Sequence, residues 1–284
     1  MYPSTAVRHL PKGVLIASLL ITVSLLSAAS AQAASLPTVS LALTPSSITV
    51  GGMLQSGAVN VLTTATGGKE PSPGLFLLKP GVNPAEVYAL LASNKVGGDP
   101  NLLSKYGSIV FDGPAAPGKS SEAQTVLQPG EYVAVDAEGE KSSSWPHTSF
   151  TVTAAAAPAA LPAAQATVRS IDFAFRGPGT LHDGELVRFE NEGFLVHMDL
   201  AFPVKNRATA KLLIKALLAG KQKQVEKLVA GEPVNFAGPL STGAFQQETI
   251  TAKPGWYVQA CFMETQDGRD HTMLGMERAI QIVK

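Results

Sequence analysis

Four side chains in this 284-residue sequence have types and spacing that suit chemistry: His197, Cys261, His271 and Met276. His197 lies in FENEGFLVHMDLAF, which reads as an early strand. Cys261 ends a late strand in GWYVQACFME, and His271 and Met276 follow on the loop into the last strand, giving the spacing Cys-x9-His-x4-Met. Thiolate and thioether are soft ligands and imidazole is borderline, so two imidazoles, one thiolate and a weak axial thioether form a donor set suited to copper and to electron transfer. Met273 is a second thioether that could take the place of Met276. Cys and two His with an open position could also hold a hydrolytic zinc, with Glu264 or Asp267 as base. Singly, each residue has a plainer role: a lone Cys is commonly an inert buried hydrophobe, Met276 a core filler and His271 a loop residue.

These groups can meet only if strand ends converge at one pole. The periodicity is strand-like in SITV, AVNVLTTA and SIVF, and again in ATVRSIDFAF, ELVRFEN, ETITA and AIQIV, with Gly/Pro/Asp turns between. That pattern predicts an all-β chain of two Greek-key β-sandwich domains with short helical insertions. The halves resemble each other. LQPGEYVAVDAEG (127–139) overlays AKPGWYVQACFME (252–264), matching Tyr132 to Tyr257 and Asp136 to Cys261. LFLLKPGVNPAEVYALLAS (75–93) overlays 198–220, a strand, a turn and a helix in each, with Asn83-Pro84 as N-cap and first helical residue. In that register Gly74 stands where the second copy has His197. The boundaries expected are 38–153 for a domain without ligands, 154–165 (AAAAPAALPAAQ) for an Ala/Pro linker and 166–284 for the domain with the site.

On these residues the second half resembles the cupredoxin, or blue-copper, family. Gly255, Tyr257, Cys261, His271, Gly275 and Met276 match the ligand loop of that family, and Asn191, Gly193, Phe194 and His197 match its early His strand. The resemblance implies two cupredoxin-like domains and one copper ion, with His197, Cys261 and His271 as equatorial ligands and Met276 as the axial one. The Cys-to-His interval is longer than in small blue-copper proteins and closer to that of the copper nitrite reductases. Its ETQDGRD insertion is polar and can bulge outward. Met198 replaces the usual Asn, so a hydrogen bond near the sulfur is expected to be missing.

The rest of the chain narrows the function. The 22 basic residues balance 22 acidic ones, leaving no field to attract nucleic acid. The single Cys rules out an intramolecular disulfide, and no other cysteine is present to build a thiolate zinc finger or an iron–sulfur cluster. Beyond the two candidate ligands, His147 and His182 read as solvated turn residues and form no His-x-His pair for a second copper, so an electron carrier or binding protein is expected rather than an enzyme. Residues 1–34 combine Arg8 and Lys12, an apolar run from Val14 to Ala28 and Ala31-Gln32-Ala33, which predicts a cleaved signal peptide, a secreted or periplasmic protein and no lasting membrane span. The lysines between Lys205 and Lys227 suit either a docking face for an acidic partner or anionic membrane surface, or a solvated helix face opposite Leu212, Leu213, Ile214, Leu217 and Leu218. The rival to the copper reading is a metal-free β-sandwich that serves as a binding or structural module of the cell envelope.

Overall fold

The computed structural model describes residues 35–284 apart from 69, 70, 97, 98 and 140; the expected signal peptide lies outside the described residues. The first half runs β1 (Thr38–Thr44), β2 (Ser47–Gly52), β3 (Gly57–Ala65), β4 (Pro73–Leu78), α1 (Pro84–Ala92), β5 (Gly107–Asp112), β6 (Ser120–Leu127), β7 (Gly130–Asp136) and β8 (His147–Val152). The second half opens with β9 (Ala166–Ile171), β10 (Ala174–Arg176), β11 (Thr180–His182), β12 (Leu186–Asn191) and β13 (His197–Val204). It continues through α2 (Arg207–Leu218), α3 (Gln222–Leu228), β14 (Val234–Leu240), β15 (Phe245–Thr249), β16 (Gly255–Ala260) and β17 (Glu277–Val283). The chain is thus mostly β with few short helices. No helix among the described residues is long and apolar enough to cross a membrane.

Alternation along the strands makes each sheet two-faced. In β1, Val39, Leu41 and Leu43 are buried while their neighbours point outward. In the first half β6, β3, β1 and β2 face the sheet β5-β4-β7-β8, and their apolar faces enclose Leu41, Leu75, Phe111 and Tyr132. In the second half β10, β9, β12 and β15 face β11-β17-β16-β13-β14 around Phe189, Phe236, Ile280 and Cys261. The Tyr132 hydroxyl donates to Gln128 O at 2.9 Å and the Tyr257 hydroxyl to Lys253 O at 2.7 Å, so both halves carry the same tyrosine corner. The halves are stitched together: Gln247 of β15 pairs with Gln124 of β6, which makes one eight-stranded sheet, and Ile109 and Ser241 exchange hydrogen bonds.

The strand pairing corrects the expected match between the copies. Tyr132 lies opposite Leu77 and Tyr257 opposite Pro203, so Pro71, not Gly74, occupies the place of His197. A hydrogen bond repeats in that register: Ser72 N–H donates to Asp136 Oδ1 at 2.8 Å, as Met198 N–H donates to Cys261 Sγ at 3.4 Å. The overlay fails because it is anchored on the helix caps Asn83 and Asn206, and the first copy carries extra residues between its strand and its helix. Residues 154–165 are irregular but bound to both halves. Ala58 N–H donates to Ala159 O at 2.9 Å and the Gln247 side chain to Pro162 O at 3.1 Å, so the segment is not a free tether. Helix α2 buries Ala210, Leu213, Ala216 and Leu217 against β16, whereas Leu212 and Leu218 are half-exposed, contrary to their expected burial.

In the place of Cys261 the first copy has the buried Asp136, with the buried Asp112 and the half-buried Ser72 beside it. Asp112 accepts from the Ser72 hydroxyl at 3.0 Å, and burial pushes its pKa up to about 7, against the smaller lowering effect of that hydrogen bond. A carboxyl raised from 3.8 to about 7 by folding costs stability that is absent below the lower value and complete above the upper one. Asp112→Asn should therefore gain about 4 kcal/mol relative to wild type between about pH 4 and about pH 8, as read by urea unfolding. A difference that does not change with pH would refute this account.

Candidate metal centre

His197 opens β13 after a turn whose shape is set by Asn191. The Asn191 amide donates to Leu195 O and Leu240 O, each at 2.7 Å, while its carbonyl accepts from Gly193 N–H at 2.8 Å. Asn101 of the first half accepts Val196 N–H at 2.8 Å and holds the same turn from the other side. Gly193 must lack a side chain, because a Cβ there would fall 2.7 Å from both His197 Nε2 and Asp172 Oδ1. Phe194, adjacent to it, is 82% exposed. Cys261 follows the end of β16. His271 starts a short 3-10 turn, His271–Leu274, which is closed by Gly275 in the left-handed region at φ 97°.

The fold brings three of the four predicted ligands together and buries all of them. Their donor atoms lie within 4.8 Å of one another. His197 Nδ1 and His271 Nδ1 are 3.1 Å apart, and Cys261 Sγ is 3.4 Å from His271 Nδ1 and 3.8 Å from His197 Nδ1. A trigonal ion with metal–nitrogen bonds of about 2.0 Å and a metal–sulfur bond of about 2.3 Å needs edges of about 3.5 and about 3.7 Å, so the donor set fits a first-row metal. Met276 is fully buried in the core cluster that contains Cys261, and its main chain bonds to both neighbours: its N–H donates to His271 O at 3.0 Å and its carbonyl accepts Cys261 N–H at 3.2 Å. Met273 is 40% exposed, and its methyl group lies beside Gly220.

Burial keeps these groups neutral. Desolvation pushes the Cys261 thiol up to about 12, against the lowering effect of the Met198 and Met263 backbone N–H groups. Those two donors supply the sulfur's hydrogen bonds although residue 198 is not Asn. Desolvation, followed by the repulsion that a protonated His197 would exert, lowers His271 to about 4; His197 is also lowered by desolvation, though Asp172 opposes this. The imidazoles are therefore unprotonated and available near neutral pH, and a metal must displace the thiol proton.

Two residues of the centre carry no signal in the sequence. The hairpin turn between β9 and β10 places Asp172 Oδ1 3.0 Å from His197 Nε2, and turns the Phe173 ring edge-on to His271 at a centroid distance of 5.2 Å. Asp172 also accepts N–H groups from Phe194 at 2.9 Å and Leu195 at 3.1 Å. Partial desolvation would raise its pKa, but the Leu195, His197 and Phe194 hydrogen bonds outweigh it and hold the carboxyl below its usual range. Phe173 adopts φ 60°, a rare conformation for an aromatic residue, and this turns its ring onto the centre. Asp172 thus fixes the His197 tautomer with Nδ1 bare and aimed at the sulfur, the arrangement by which carboxylates orient metal-binding imidazoles.

The long Cys-to-His interval folds outward. Glu264 bridges to Asp270, Thr265 N–H donates to Arg269 O at 3.0 Å, and Asp267 pairs with Arg269 at 2.7 Å. The other two histidines among the described residues, expected in solvated turns, lie at strand ends: His147 opens β8, bonds to Trp145 O and packs on Tyr88, and the exposed His182 ends β11; neither belongs to the cluster.

A β-sandwich whose His–Cys–His cluster is set by the start of β13, the end of β16 and the turn before β17 is cupredoxin-like, and that is the class the fold and centre define. No family model matches the sequence, and no curated protein does. Among solved structures the chain is similar to a reduced auracyanin from the photosynthetic bacterium Roseiflexus castenholzii, at 16% identity and TM-score 0.26, over 42% of this chain and 95% of that one. It is also similar to a copper-containing nitrite reductase from Thermus scotoductus, at 13% identity and TM-score 0.25, over 87% of this chain and 67% of that one. The copper nitrite reductase of Nitrosomonas europaea gives 11% identity and TM-score 0.22, over 87% and 93%. These superpositions are loose, and the strand order and donor geometry above define the class without them.

Proposed function

We propose that the protein is an exported copper-binding electron carrier with one mononuclear centre. His197, Cys261 and His271 would hold the ion, with the Met276 thioether as a weaker fourth ligand. The observation that carries this reading is the triangle of two bare nitrogens and one sulfur at 3.1, 3.4 and 3.8 Å inside a dry core. Copper in such a site supplies a reversible one-electron couple. The chain keeps the donors nearly fixed: Asp172 pins one ring, the 3-10 turn carries the other, and backbone N–H groups face the sulfur, so little rearrangement is needed when charge changes. Burial of both rings excludes water and external ligands, which favours electron transfer over substrate chemistry. The exposed lysines of α2 and α3 suit docking of an acidic redox partner protein. The leader-like residues 1–34 support secretion or a periplasmic location.

Titration of Cu(II) into the purified protein, with Cys261 reduced, should saturate at one equivalent and produce an intense visible thiolate-to-copper band. A folded sample that stays colourless with Cu(II) overturns the reading, and a colourless one-to-one complex with Zn(II) alone assigns the site to zinc.

A further inference from the structure

A second feature stands apart from the donor triangle. Between the two halves lies a cavity of about 240 Å³. Its walls are apolar, including Phe76, Val87, Leu91, Trp145, Met198 and Met263. Protein cores rarely leave voids larger than a water molecule, and an engineered apolar cavity of about 150 Å³ already binds benzene. The walls are interrupted where Asp112 and Ser72 also line the space. Asp112 is only 3% exposed and bonded to the Ser72 hydroxyl, and a Cβ on Gly238 would fall on its carboxyl, so its position is fixed. An apolar chamber with a single buried carboxyl at one side selects by shape and by one hydrogen bond. It disfavours anions, because a negative ligand would lie against that carboxyl among largely apolar walls.

We propose that this cavity binds a neutral small molecule with an apolar body and one hydroxyl group, of the size of a short alkylphenol, the hydroxyl meeting Asp112. The site is independent of the metal reading, because none of the three donors lines it. It does touch the centre's surroundings: Met198 follows His197 and gives Cys261 its backbone hydrogen bond, and Met263 O accepts the His271 N–H.

The test uses metal-free protein labelled with ¹³C at the methionine methyl groups, titrated with 4-ethylphenol, ethylbenzene and 4-ethylbenzoate. The Met198 and Met263 methyl signals should shift saturably, with the exposed Met53 signal unmoved. The phenol should bind about tenfold more tightly than ethylbenzene, the value of one hydrogen bond to a buried group, and the benzoate should not bind. In a Trp256→Phe background the remaining Trp145 fluorescence should report the same affinity. Val87→Phe, which fills the chamber, should abolish binding. If that variant does not fold, the methyl shifts and the ligand series still decide. The proposal is overturned if no saturable shift occurs, if Met53 moves with the others, if phenol and ethylbenzene bind equally, or if folded Val87→Phe binds as wild type does.

Discussion

Replacing Cys261 by serine should abolish the visible charge-transfer band expected of the copper-loaded protein and leave the fold standing. The sulfur is the only thiol in the chain and the only donor able to give that transition. Serine is close in size and meets the same backbone N–H groups, so the core around Phe236 and Met276 keeps its packing. The hydroxyl is not ionised at neutral pH and is a poor partner for Cu(I), so affinity for the reduced ion should fall steeply, by well over the 10- to 100-fold seen when a supporting residue outside the ligand set is lost. Absorption spectroscopy and a Cu(I) competition titration read both effects, and circular dichroism checks the fold. A serine variant that keeps the band would mean that Cys261 is not the ligand. The counterpart change in the first half, Asp136→Asn, should leave the band unaltered, because Asp136 is not among the clustered donors.

Asp172→Ala should weaken copper binding about 10- to 100-fold and raise the reduction potential. The carboxylate holds His197 through Nε2 and places a negative charge beside the ion, which favours Cu(II) over Cu(I); removing it releases the ring and that charge together. Asp172→Asn separates the two contributions. Its carbonyl can still accept from Nε2 and from Phe194 N–H, so most affinity should remain while the potential rises. Voltammetry with competition titration distinguishes positioning from general damage: a merely structural role would lower the melting temperature and leave the potential in place. An alanine variant with unchanged affinity and potential removes Asp172 from the centre.

Much of the centre was legible because its residue types are scarce and lie at the ends of recognisable strands. A single Cys and two histidines, set around Pro-Gly turns and alternating apolar runs, can converge only at one pole of a sandwich. Asp172 was not legible because it belongs to a two-residue turn after β9, far along the chain from His197, where an acidic residue looks like ordinary turn chemistry. Phe173 was hidden for a related reason: its positive φ, which turns the ring onto His271, goes against the residue's own preference. The place of His197 in the first copy was misread by three residues because helix caps are strong signals and loop lengths are not. The linker's composition suggested slack, yet its carbonyls are used by β3 and β15, a matter of tertiary position that composition does not record. The cavity needed both halves in place before it existed at all.

The outward fold of residues 264–270 has one more consequence. Because Glu264 and Asp270 close a neck beneath the tip, the segment between sulfur and ring acts as a buttoned collar: whatever hangs beyond the button does not pull on what lies below it. An engineer could therefore lengthen or trim this tip, or graft a recognition peptide there, and the spacing of Cys261 and His271 should stay as it is.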